Sequence, residues 1–370
     1  MHIVLPRAHW LAEGSIGVSE PNPRVGCVLT GSDGRTLGEG RTDAAGGPHA
    51  EVVALRTAGH DLHGATAYVT LEPCSHHGRT PPCCDALIAA GIARVVVAIE
   101  DPNPLVAGQG IARLRAAGIE VEVVDGEWGR ASRELNIGFF SRMIRKRPWV
   151  RMKIAASLDG RTALENGTSQ WITGEAARID GHAWRKRAGA ILTGIGTVLE
   201  DDPRLDVRLV DTEVQPWRVV IDSRLELAPV ARIVQPPGRV LVYCSLDLTQ
   251  AEAAARAKAL SDAGVTVRSL PGALGKVDLA AVLDDLAANF EINELHVEAG
   301  HKLNGSLMRE CLVDEFLVYL APTMIGLGRE MARFGPLEQL SQALALRYES
   351  VERVGDDLRI VARPPGRADF

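Results

Sequence analysis

The sequence is poor in aromatic residues, in positive charge and in long apolar runs, and each shortage excludes a class of protein. Aromatic residues make up 4% of the 370 residues, so small aliphatic side chains must fill most of the core. Acidic residues outnumber basic ones by 47 to 41, and the net charge of −6 argues against a general affinity for nucleic acid. No apolar run approaches the roughly 18 residues that a membrane span needs. We therefore expect neither a nucleic-acid partner nor a membrane partner.

Cysteine is also scarce, and half of it is clustered. Six cysteines in a chain of this length do not form a disulfide scaffold. Cys74, Cys83 and Cys84 lie within eleven positions, which is typical of a metal site in a reducing compartment. Met1–Trp10 lacks the apolar segment of a signal peptide, so we expect a cytoplasmic protein.

The length favours two domains, since a single hydrophobic core rarely grows to this size. Short strand and helix patterns alternate in both halves, which predicts α/β sheets covered by helices on both faces. The basic stretch Arg142–Pro148 is interpreted as the linker, and the predicted domains are residues 1–145 and 146–370.

The predicted elements follow from apolar periodicity and from glycine and proline punctuation. In the first half the predicted strands are Val25–Gly31, Arg35–Gly40, Thr66–Leu71, Arg94–Ile99 and Ile119–Val124, and the predicted helices are His49–Ala58, Cys83–Ala90 and Gly108–Ala117. In the second half the predicted strands are Trp149–Ile154, Ala190–Thr193, Arg218–Asp222, Val240–Cys244, Val265–Leu270, Glu294–Glu298 and Glu315–Leu320, with helices Gln250–Ala263 and Leu279–Asn289. Arg347–Arg363 is predicted to be a terminal hairpin.

The strongest signal for function is a histidine, a glutamate two residues later and two cysteines further on. His49-Ala50-Glu51 precedes Cys74 and Cys83 in the chain. One imidazole and two thiolates supply three ligands to a tetrahedral zinc and leave the fourth position to water. Zinc brings the pKa of such a water near neutrality, and an adjacent glutamate can carry its proton to a leaving amine. The pattern predicts Zn²⁺ on His49, Cys74 and Cys83, with Glu51 as the catalytic residue.

Two alternatives stay open at this site. Cys84 competes with Cys83 for the third ligand position, although neighbouring residues at a helix start point in different directions. A structural zinc with His76 or His77 as a fourth ligand is the other alternative, but it leaves Glu51 without a role.

The surroundings of these ligands resemble the deaminase domain of a known enzyme family. Pro21–Gly26, His49–Glu51 and Thr70–Cys83 are similar to the diaminohydroxyphosphoribosylaminopyrimidine deaminase domain of the bifunctional deaminase–reductases of riboflavin biosynthesis. The wide cysteine spacing separates this pattern from that of cytidine and tRNA-adenosine deaminases. The resemblance implies a cytidine-deaminase-like α/β/α fold.

The same resemblance implies the substrate contacts of the first site. It places Asn22 at the pyrimidine base and His76 and Arg79 near the ribose phosphate. Thr42 departs from the family, which usually has histidine at this position. We expect a polar substrate contact to be changed there or to be replaced by Arg41.

The chain lacks the glycine fingerprint of a Rossmann dinucleotide site. Gly108-Gln109-Gly110 is not followed by the required third glycine, so it predicts only a turn and a helix start. Gly194 and Gly196 stand instead at the end of a predicted strand, and Gly300–Ser306 follows another strand and opens a helix. Backbone amides in such places can cradle a pyrophosphate.

The second half resembles the reductase domain of the same family, and the combined resemblance covers nearly the whole chain. The similar stretches are Lys153–Arg161, Ser169–Thr173, Thr193–Leu205, Ile221–Arg224 and Val297–Gly300. The resemblance implies a dihydrofolate-reductase-like α/β fold that uses NADPH. It assigns to NADPH the residues Ala155, Trp171, Thr197, Asp201, Ser223, Gly300, His301, Lys302, Leu303, Asn304, Gly305 and Ser306.

The resemblance also implies the substrate contacts of the reductase. It assigns to the substrate the residues Ser169, Arg185, Leu205, Arg208 and Glu298. Arg185 and Arg208 suit a phosphate, because a guanidinium binds phosphate in a bidentate manner. Lys153 is a candidate for polarising the sugar carbonyl, or its imine, and Asp206 stands where the family more often has threonine or asparagine.

The expected protein is a bifunctional enzyme of riboflavin biosynthesis that acts on a phosphoribosyl pyrimidine. Its first domain would deaminate 2,5-diamino-6-(5-phosphoribosylamino)pyrimidin-4-one. Its second domain would then reduce the ribosyl group with NADPH to give 5-amino-6-(5-phosphoribitylamino)uracil. We also expect a homo-oligomer, either a dimer or a tetramer.

Three other hypotheses compete with this one. The first is a nucleic-acid-editing deaminase, which the acidic composition disfavours. The second is a zinc-stabilised scaffold, which would not need Glu51. The third is an enzyme with only one active half, in which Thr42 makes the deaminase the half in question.

Overall fold

The computed structural model describes residues 4–59, 62–76, 81–104 and 106–370, and the chain divides into two compact units. The first unit spans Met1–Lys146 and the second spans Arg147–Phe370. Within the described ranges, no helix combines the length and the apolar character that a membrane crossing requires.

The first unit is built on one mixed sheet with helices packed against it. Its strands are β1 (Gly26–Thr30), β2 (Thr36–Arg41), β3 (Thr66–Val69), β4 (Arg94–Val97) and β5 (Glu120–Val123). Its helices are α1 (Leu5–Glu13), α2 (Ala50–Ala58), α3 (Cys83–Ala89), α4 (Gln109–Ala116), α5 (Gly126–Leu135) and α6 (Ile137–Arg145).

The sheet of the first unit has the order β2-β1-β3-β4-β5. β1 is antiparallel to both β2 and β3, whereas β3, β4 and β5 are parallel. All five residues of β1 are buried, so this strand lies in the core of the unit.

Glycines in β2 let α2 approach the sheet closely. A Cβ atom on Gly40 would lie 2.2 Å from the carbonyl oxygen of Ala50, and one on Gly38 would lie 2.3 Å from that of Ala54. Side chains at these two positions would therefore push α2 away from the sheet. This close packing fixes the N-terminus of α2, where two of the predicted site residues lie.

The second unit is built on a larger sheet. Its strands are β6 (Trp149–Ser157), β7 (Arg161–Leu164), β8 (Ala190–Gly194), β9 (Trp217–Ile221), β10 (Val240–Cys244), β11 (Val265–Ser269), β12 (Glu294–Val297), β13 (Glu315–Ala321), β14 (Gly328–Glu330), β15 (Arg347–Val354) and β16 (Asp357–Arg363). Its helices are α7 (Glu175–Arg187), α8 (Ile195–Asp201), α9 (Ala251–Asp262), α10 (Leu279–Asn289) and α11 (His301–Arg309).

Nine strands form the main sheet of this unit in the order β11-β10-β9-β8-β12-β6-β13-β16-β15. The strands from β11 to β13 are parallel, and the hairpin of β15 and β16 adds an antiparallel edge. Apolar side chains of β6, β8 and β12 form the largest core with α10, as Val150, Leu192 and Leu295 do with Leu286. The carboxyl ends of the parallel strands meet at one edge, where ligand sites of open α/β sheets form.

Most predicted elements agree with the structure to within a few residues. β10 and α10 have the predicted bounds, and the predicted terminal hairpin is present as β15 and β16. The interpretation of Arg142–Pro148 as a linker is wrong for its first part, because α6 continues to Arg145. Arg142 donates a hydrogen bond to the carbonyl oxygen of Pro21 at 3.1 Å, so it packs within the first unit.

Candidate active sites

The three predicted zinc ligands lie at the starts of two helices and in the loop between them. His49 is the N-cap residue of α2, and Cys83 is the first residue of α3. Cys74 lies on the segment that follows β3. Pro82 precedes Cys83, and the fixed φ of proline is compatible with the entry to a helix.

The donor atoms of these residues converge. The Nδ1 atom of His49 lies 3.3 Å from the Sγ atom of Cys83 and 3.6 Å from that of Cys74. All three ligand atoms lie within 4.8 Å of one another, and they form the candidate metal cluster of the described residues. Thiolate and imidazole are the ligands that zinc prefers, so the donor set fits this metal.

The Cys74 sulfur is the more acidic of the two thiols. Hydrogen bonds from the Cys83 thiol and backbone N–H, together with His49, lower the pKa of Cys74 well below its usual value. The backbone N–H of Cys83 lies 3.3 Å from the Cys74 sulfur. A thiolate is the form of cysteine that binds a metal.

Cys84 points away from this cluster. Its thiol donates to the carbonyl oxygens of Pro73 at 3.2 Å and Gly110 at 3.6 Å, and the residue is fully buried. Burial raises the pKa of Cys84 to about 12, so it remains a neutral thiol. The geometry favours Cys83 over Cys84 as the third ligand.

Glu51 lies beside the cluster in the first turn of α2. Its residue is 3% exposed, and its carboxyl group is within hydrogen-bonding reach of the Cys83 thiol. Burial raises the pKa of the Glu51 carboxyl to about 7, and the nearby Cys74 thiolate adds to the rise. A carboxyl group in this position can exchange a proton with a water molecule bound at the cluster.

Glu72 supports this site, and the motif analysis did not identify it. Its carboxylate accepts hydrogen bonds from the backbone N–H groups of Asp101, Gly108 and Ile111 at 2.9–3.2 Å. These contacts tie the segment before Cys74 to the start of α4. The only signal in the sequence was an acidic residue two positions before a predicted cysteine ligand.

The structure describes only some of the predicted base and phosphate contacts. Asn22 is half-buried on the segment before β1. The Nδ1 atom of His76 is buried and has no hydrogen-bond partner among the described residues, so it is available to a ligand. Arg79 and His77 lie outside the described residues.

Thr42 and Arg41 make structural contacts. The Thr42 hydroxyl accepts a hydrogen bond from the backbone N–H of Val25 at 3.2 Å, and Thr42 is buried. The guanidinium of Arg41 donates to the carbonyl oxygen of Gly14 at 2.6 Å on the exposed side of the unit. The expectation that Arg41 replaces the missing histidine therefore has no support in this arrangement.

The second unit has a cavity of about 1340 Å³ at the carboxyl ends of its strands. Both predicted glycine turns line it, and a Cβ atom added at Gly196 would meet only open space. Its wall includes the basic residues Arg224, Lys276, Lys302, Arg309, Arg329 and Arg333 and the acidic residues Glu200, Glu226, Asp278 and Glu310. The volume, the glycine turns and the excess of basic residues fit a dinucleotide with several phosphates.

The residues assigned to NADPH divide into three groups. The cavity wall contains Thr197, Ser223, Gly300, His301, Lys302, Leu303 and Ser306. Asn304 and Gly305 lie on the buried side of α11, where the Asn304 amide donates to the Met331 carbonyl oxygen at 3.0 Å. Ala155, Trp171 and Asp201 are not part of this wall, and Trp171 is 67% exposed, with the Arg178 guanidinium 4.6 Å from its ring centre.

Lys153 and Glu298 come from adjacent strands. β6 and β12 pair in parallel with Met152 opposite Val297, so Lys153 and Glu298 are the next residues along each chain. Burial lowers the pKa of the Lys153 ammonium, although the Glu298 charge opposes this shift. Burial raises the pKa of Glu298, but the Arg185 and Lys153 charges outweigh burial and hold it well below its usual range.

Arg185 is bound to Glu298 rather than free for a phosphate. Its Nε and Nη2 atoms donate to the two Glu298 carboxylate oxygens at 2.5 and 2.8 Å. Its Nη1 atom donates to the carbonyl oxygen of Asp206 at 2.9 Å. Most of its donors are therefore used within the protein.

Arg208 retains free donors. Among the described residues its guanidinium contacts only the Asp206 carboxylate, through Nη1 at 2.6 Å, and the side chain is 45% exposed. Leu205 is buried and has a φ of +52°, and Ser169 lies half-buried in the loop before α7.

Two family models match the chain. The model described as the RibD C-terminal domain matches residues 148–360. The model described as the cytidine and deoxycytidylate deaminase zinc-binding region matches residues 4–99, which contain all three residues of the candidate metal cluster, His49, Cys74 and Cys83.

Curated proteins and solved structures are similar over almost the full length. The riboflavin biosynthesis protein RibD of Escherichia coli is 45% identical, with 96% of each chain covered, and that of Aquifex aeolicus is 41% identical, with 95% and 94% covered. A structure of Acinetobacter baumannii RibD matches with a TM-score of 0.88 at 41% identity and 97% coverage of both chains. The structure of a diaminohydroxyphosphoribosylaminopyrimidine deaminase/5-amino-6-(5-phosphoribosylamino)uracil reductase from Thermotoga maritima matches with a TM-score of 0.84 at 33% identity and the same coverage.

Proposed function

The chain belongs to the RibD family, the bifunctional deaminase–reductases of riboflavin biosynthesis that use zinc and NADPH, and from this we propose roles for the residues of its two sites. The observation that carries the first assignment is the convergence of the His49, Cys74 and Cys83 donor atoms within 4.8 Å beside a buried Glu51. The substrate of the first site is 2,5-diamino-6-(5-phosphoribosylamino)pyrimidin-4-one, and the reaction releases ammonia.

In the first site His49, Cys74 and Cys83 would hold zinc. Zinc, when bound, makes hydroxide available near neutral pH. Glu51 takes the proton of the attacking water and delivers it to the departing amine, which therefore leaves as ammonia. Asn22 holds the pyrimidine base, and His76 and Arg79 contact the ribose phosphate.

In the second site the basic cavity would hold NADPH, with Ser223, Thr197 and the α11 N-terminus among its contacts. NADPH supplies the hydride that converts the ribosyl group to ribityl. Lys153 donates a hydrogen bond, and then a proton, to the sugar atom that gains negative charge. Glu298, fixed by Arg185, orients the sugar together with Ser169 and Leu205. Arg208 binds the phosphate with its free N–H groups.

Assembly and location are further parts of the proposal. The edge strand β15 exposes Tyr348 and Val351, which is consistent with a homodimer or homotetramer. The six cysteines are not in disulfides, and two of them would bind zinc as thiolates, which supports a reducing cytoplasm. Light scattering coupled to size-exclusion chromatography measures the mass of the assembly. A monomeric mass would reject the proposed homodimer or homotetramer.

The test of the function is incubation with the diamino substrate, with and without NADPH. Ammonia release should require no NADPH, and oxidation of NADPH should follow only after deamination. The product, identified by mass spectrometry, should be 5-amino-6-(5-phosphoribitylamino)uracil. No ammonia in either condition would reject the deaminase assignment, and ammonia without NADPH oxidation would reject the reductase assignment.

A further inference from the structure

The segment that carries Arg208 contains a second arginine and a carboxylate between the two. The Arg204 Nε atom donates to Asp206 Oδ2 at 3.0 Å, and the Arg208 Nη1 atom donates to Asp206 Oδ1 at 2.6 Å. The Asp206 side chain is 6% exposed, whereas each arginine side chain is 45% exposed. One buried carboxylate thus bridges two partly exposed guanidinium groups.

The backbone of this segment is fixed from several sides. The Asp206 carbonyl oxygen accepts from Arg185 at 2.9 Å, and the Arg208 N–H donates to His182 Nδ1 at 3.1 Å. Leu205 has a φ of +52°, a left-handed conformation that non-glycine residues rarely adopt because it is strained. Such strain persists only where the surrounding structure holds it, and it is enriched at binding sites.

The charges of the segment oppose tight binding of a phosphate. Burial raises the pKa of Asp206, but the hydrogen bonds from Arg208 and Arg204 outweigh burial and lower it, so the carboxylate is ionised. Within this trio, two guanidinium groups and one carboxylate carry a net charge of a single positive unit, so the carboxylate cancels the charge of one arginine. Each guanidinium still has uncommitted N–H groups, since an arginine has five and each of these two uses one on Asp206.

We propose that Asp206 is an internal competitor at a two-arginine phosphate site formed by Arg204 and Arg208. In the free protein the Asp206 carboxylate is hydrogen-bonded to both arginines. The substrate phosphate competes with this carboxylate for the two guanidinium groups. This inference rests on the proposed role of Arg208 and adds Arg204 as a phosphate ligand. The consequence is selectivity for the phosphoribosyl substrate over a free anion. A free anion binds weakly, whereas a phosphate attached to the sugar and the base gains further contacts.

Calorimetric titration of the full chain with ribose 5-phosphate tests the proposal, with the data fitted to two sites so that the reductase site is separated from the ribose-phosphate site proposed for the deaminase. Asp206→Asn keeps the shape and removes the charge, and it should tighten binding about 3- to 10-fold, since solvent weakens the interaction of charges near a protein surface. Arg204→Ala should weaken binding about 3- to 10-fold. Asp206→Asn should also lower KM for the phosphoribosyl substrate of the reductase while kcat stays unchanged.

Arg347→Ala is the matched control, because Arg347 pairs with Glu349 at the same spacing on β15, where no ligand contact is proposed. It should leave binding unchanged. Asp206→Thr removes the charge with a different side chain and keeps the test valid if Asp206→Asn does not fold.

The outcomes separate the inference from the function on which it rests. Equal or weaker binding by both Asp206 variants, or unchanged binding by Arg204→Ala, would overturn the competitor model. Unchanged binding by Arg208→Ala would show that the phosphate binds elsewhere, and it would reject the proposed phosphate site together with this inference. Tighter binding by Asp206→Asn that disappears in the Arg204→Ala background would support the two-arginine site.

Discussion

At the scale of single residues, Cys83 and Cys84 show how one step along a helix separates a candidate ligand from a core side chain. Successive residues of an α-helix are rotated by about 100° from one another, because a turn contains 3.6 residues. The Cys83 sulfur faces His49 at 3.3 Å, while the Cys84 thiol donates to the Pro73 carbonyl oxygen. We predict that Cys83→Ser loses zinc and that Cys84→Ser retains it, as measured by elemental analysis. Retention by Cys83→Ser with loss from Cys84→Ser would reverse the assignment.

Glu51 provides the second prediction at this scale. Glu51→Gln preserves the size of the side chain but cannot accept the proton of the attacking water. Deamination should fall about 10²-fold or more, the usual contribution of general acid–base catalysis, while the zinc content stays at the wild-type level. Ammonia release and elemental analysis on one preparation check both statements. Wild-type ammonia release would exclude Glu51 from the mechanism, and loss of zinc would show a role in the metal site.

The sequence could predict the candidate zinc residues because their spacing is itself the signal. It could not predict the engagement of Arg185, since its partner Glu298 is 113 positions away in the chain. A guanidinium in an Arg-Lys-Arg run is compatible with both a free phosphate ligand and a buried ion pair. Only the packing of α7 against the carboxyl end of β12 decides between them.

At the scale of secondary structure, elements with regular apolar periodicity were predicted well. Helices in which charged residues are mixed with the buried ones were not predicted. The periodic apolar residues of α10 gave its bounds. α6 was missed because its last turn is basic, although its first four residues, Ile137, Gly138, Phe139 and Phe140, are buried. α7 was missed because its charged residues obscure a narrow buried face of Ala177, Gly181 and His182. In both helices tertiary packing, rather than local pattern, supplies most of the stability.

The contact between β2 and α2 gives a prediction at this scale. Gly40→Ala would place a Cβ atom 2.2 Å from the Ala50 carbonyl oxygen, so the first turn of α2 must move. Because His49 and Glu51 lie at this turn, the variant should lose zinc affinity and deaminase activity and unfold at a lower temperature. Metal titration and thermal unfolding measure these effects. Gly181→Ala, whose Cβ meets nothing within 4 Å, is the control: it should leave zinc affinity and deaminase activity unchanged and should not lower the unfolding temperature, since alanine is favoured over glycine inside a helix. An equal loss in both variants would contradict the packing argument.

At the scale of the whole molecule, the division into two units accounts for how the two family models match. Each model falls within one unit. The residues assigned to the deaminase site all belong to the first unit, and those assigned to the reductase site all belong to the second. The chain length predicted two domains, the alternation of strand and helix patterns predicted α/β sheets, and the motifs predicted which half deaminates. The hairpin of β15 and β16 that completes the second sheet was also recognisable, since two polar-rich strands flank Gly355. The small sheet of β7 and β14 was not, because its strands are short and distant in sequence.

Separate sites in separate units should fail independently. Glu51→Gln should leave NADPH oxidation intact when the deaminated intermediate is supplied, because Glu51 and the residues assigned to the reductase site belong to different units. Arg208→Ala should leave ammonia release intact and weaken reduction about 10- to 100-fold, the usual loss for a hydrogen bond to a charged group. Ammonia and NADPH absorbance are followed for both variants in parallel. If the two reactions instead shared one site, each variant would damage both, and the ratio of ammonia released to NADPH consumed would stay fixed. Opposite selective losses are the result that two independent sites require.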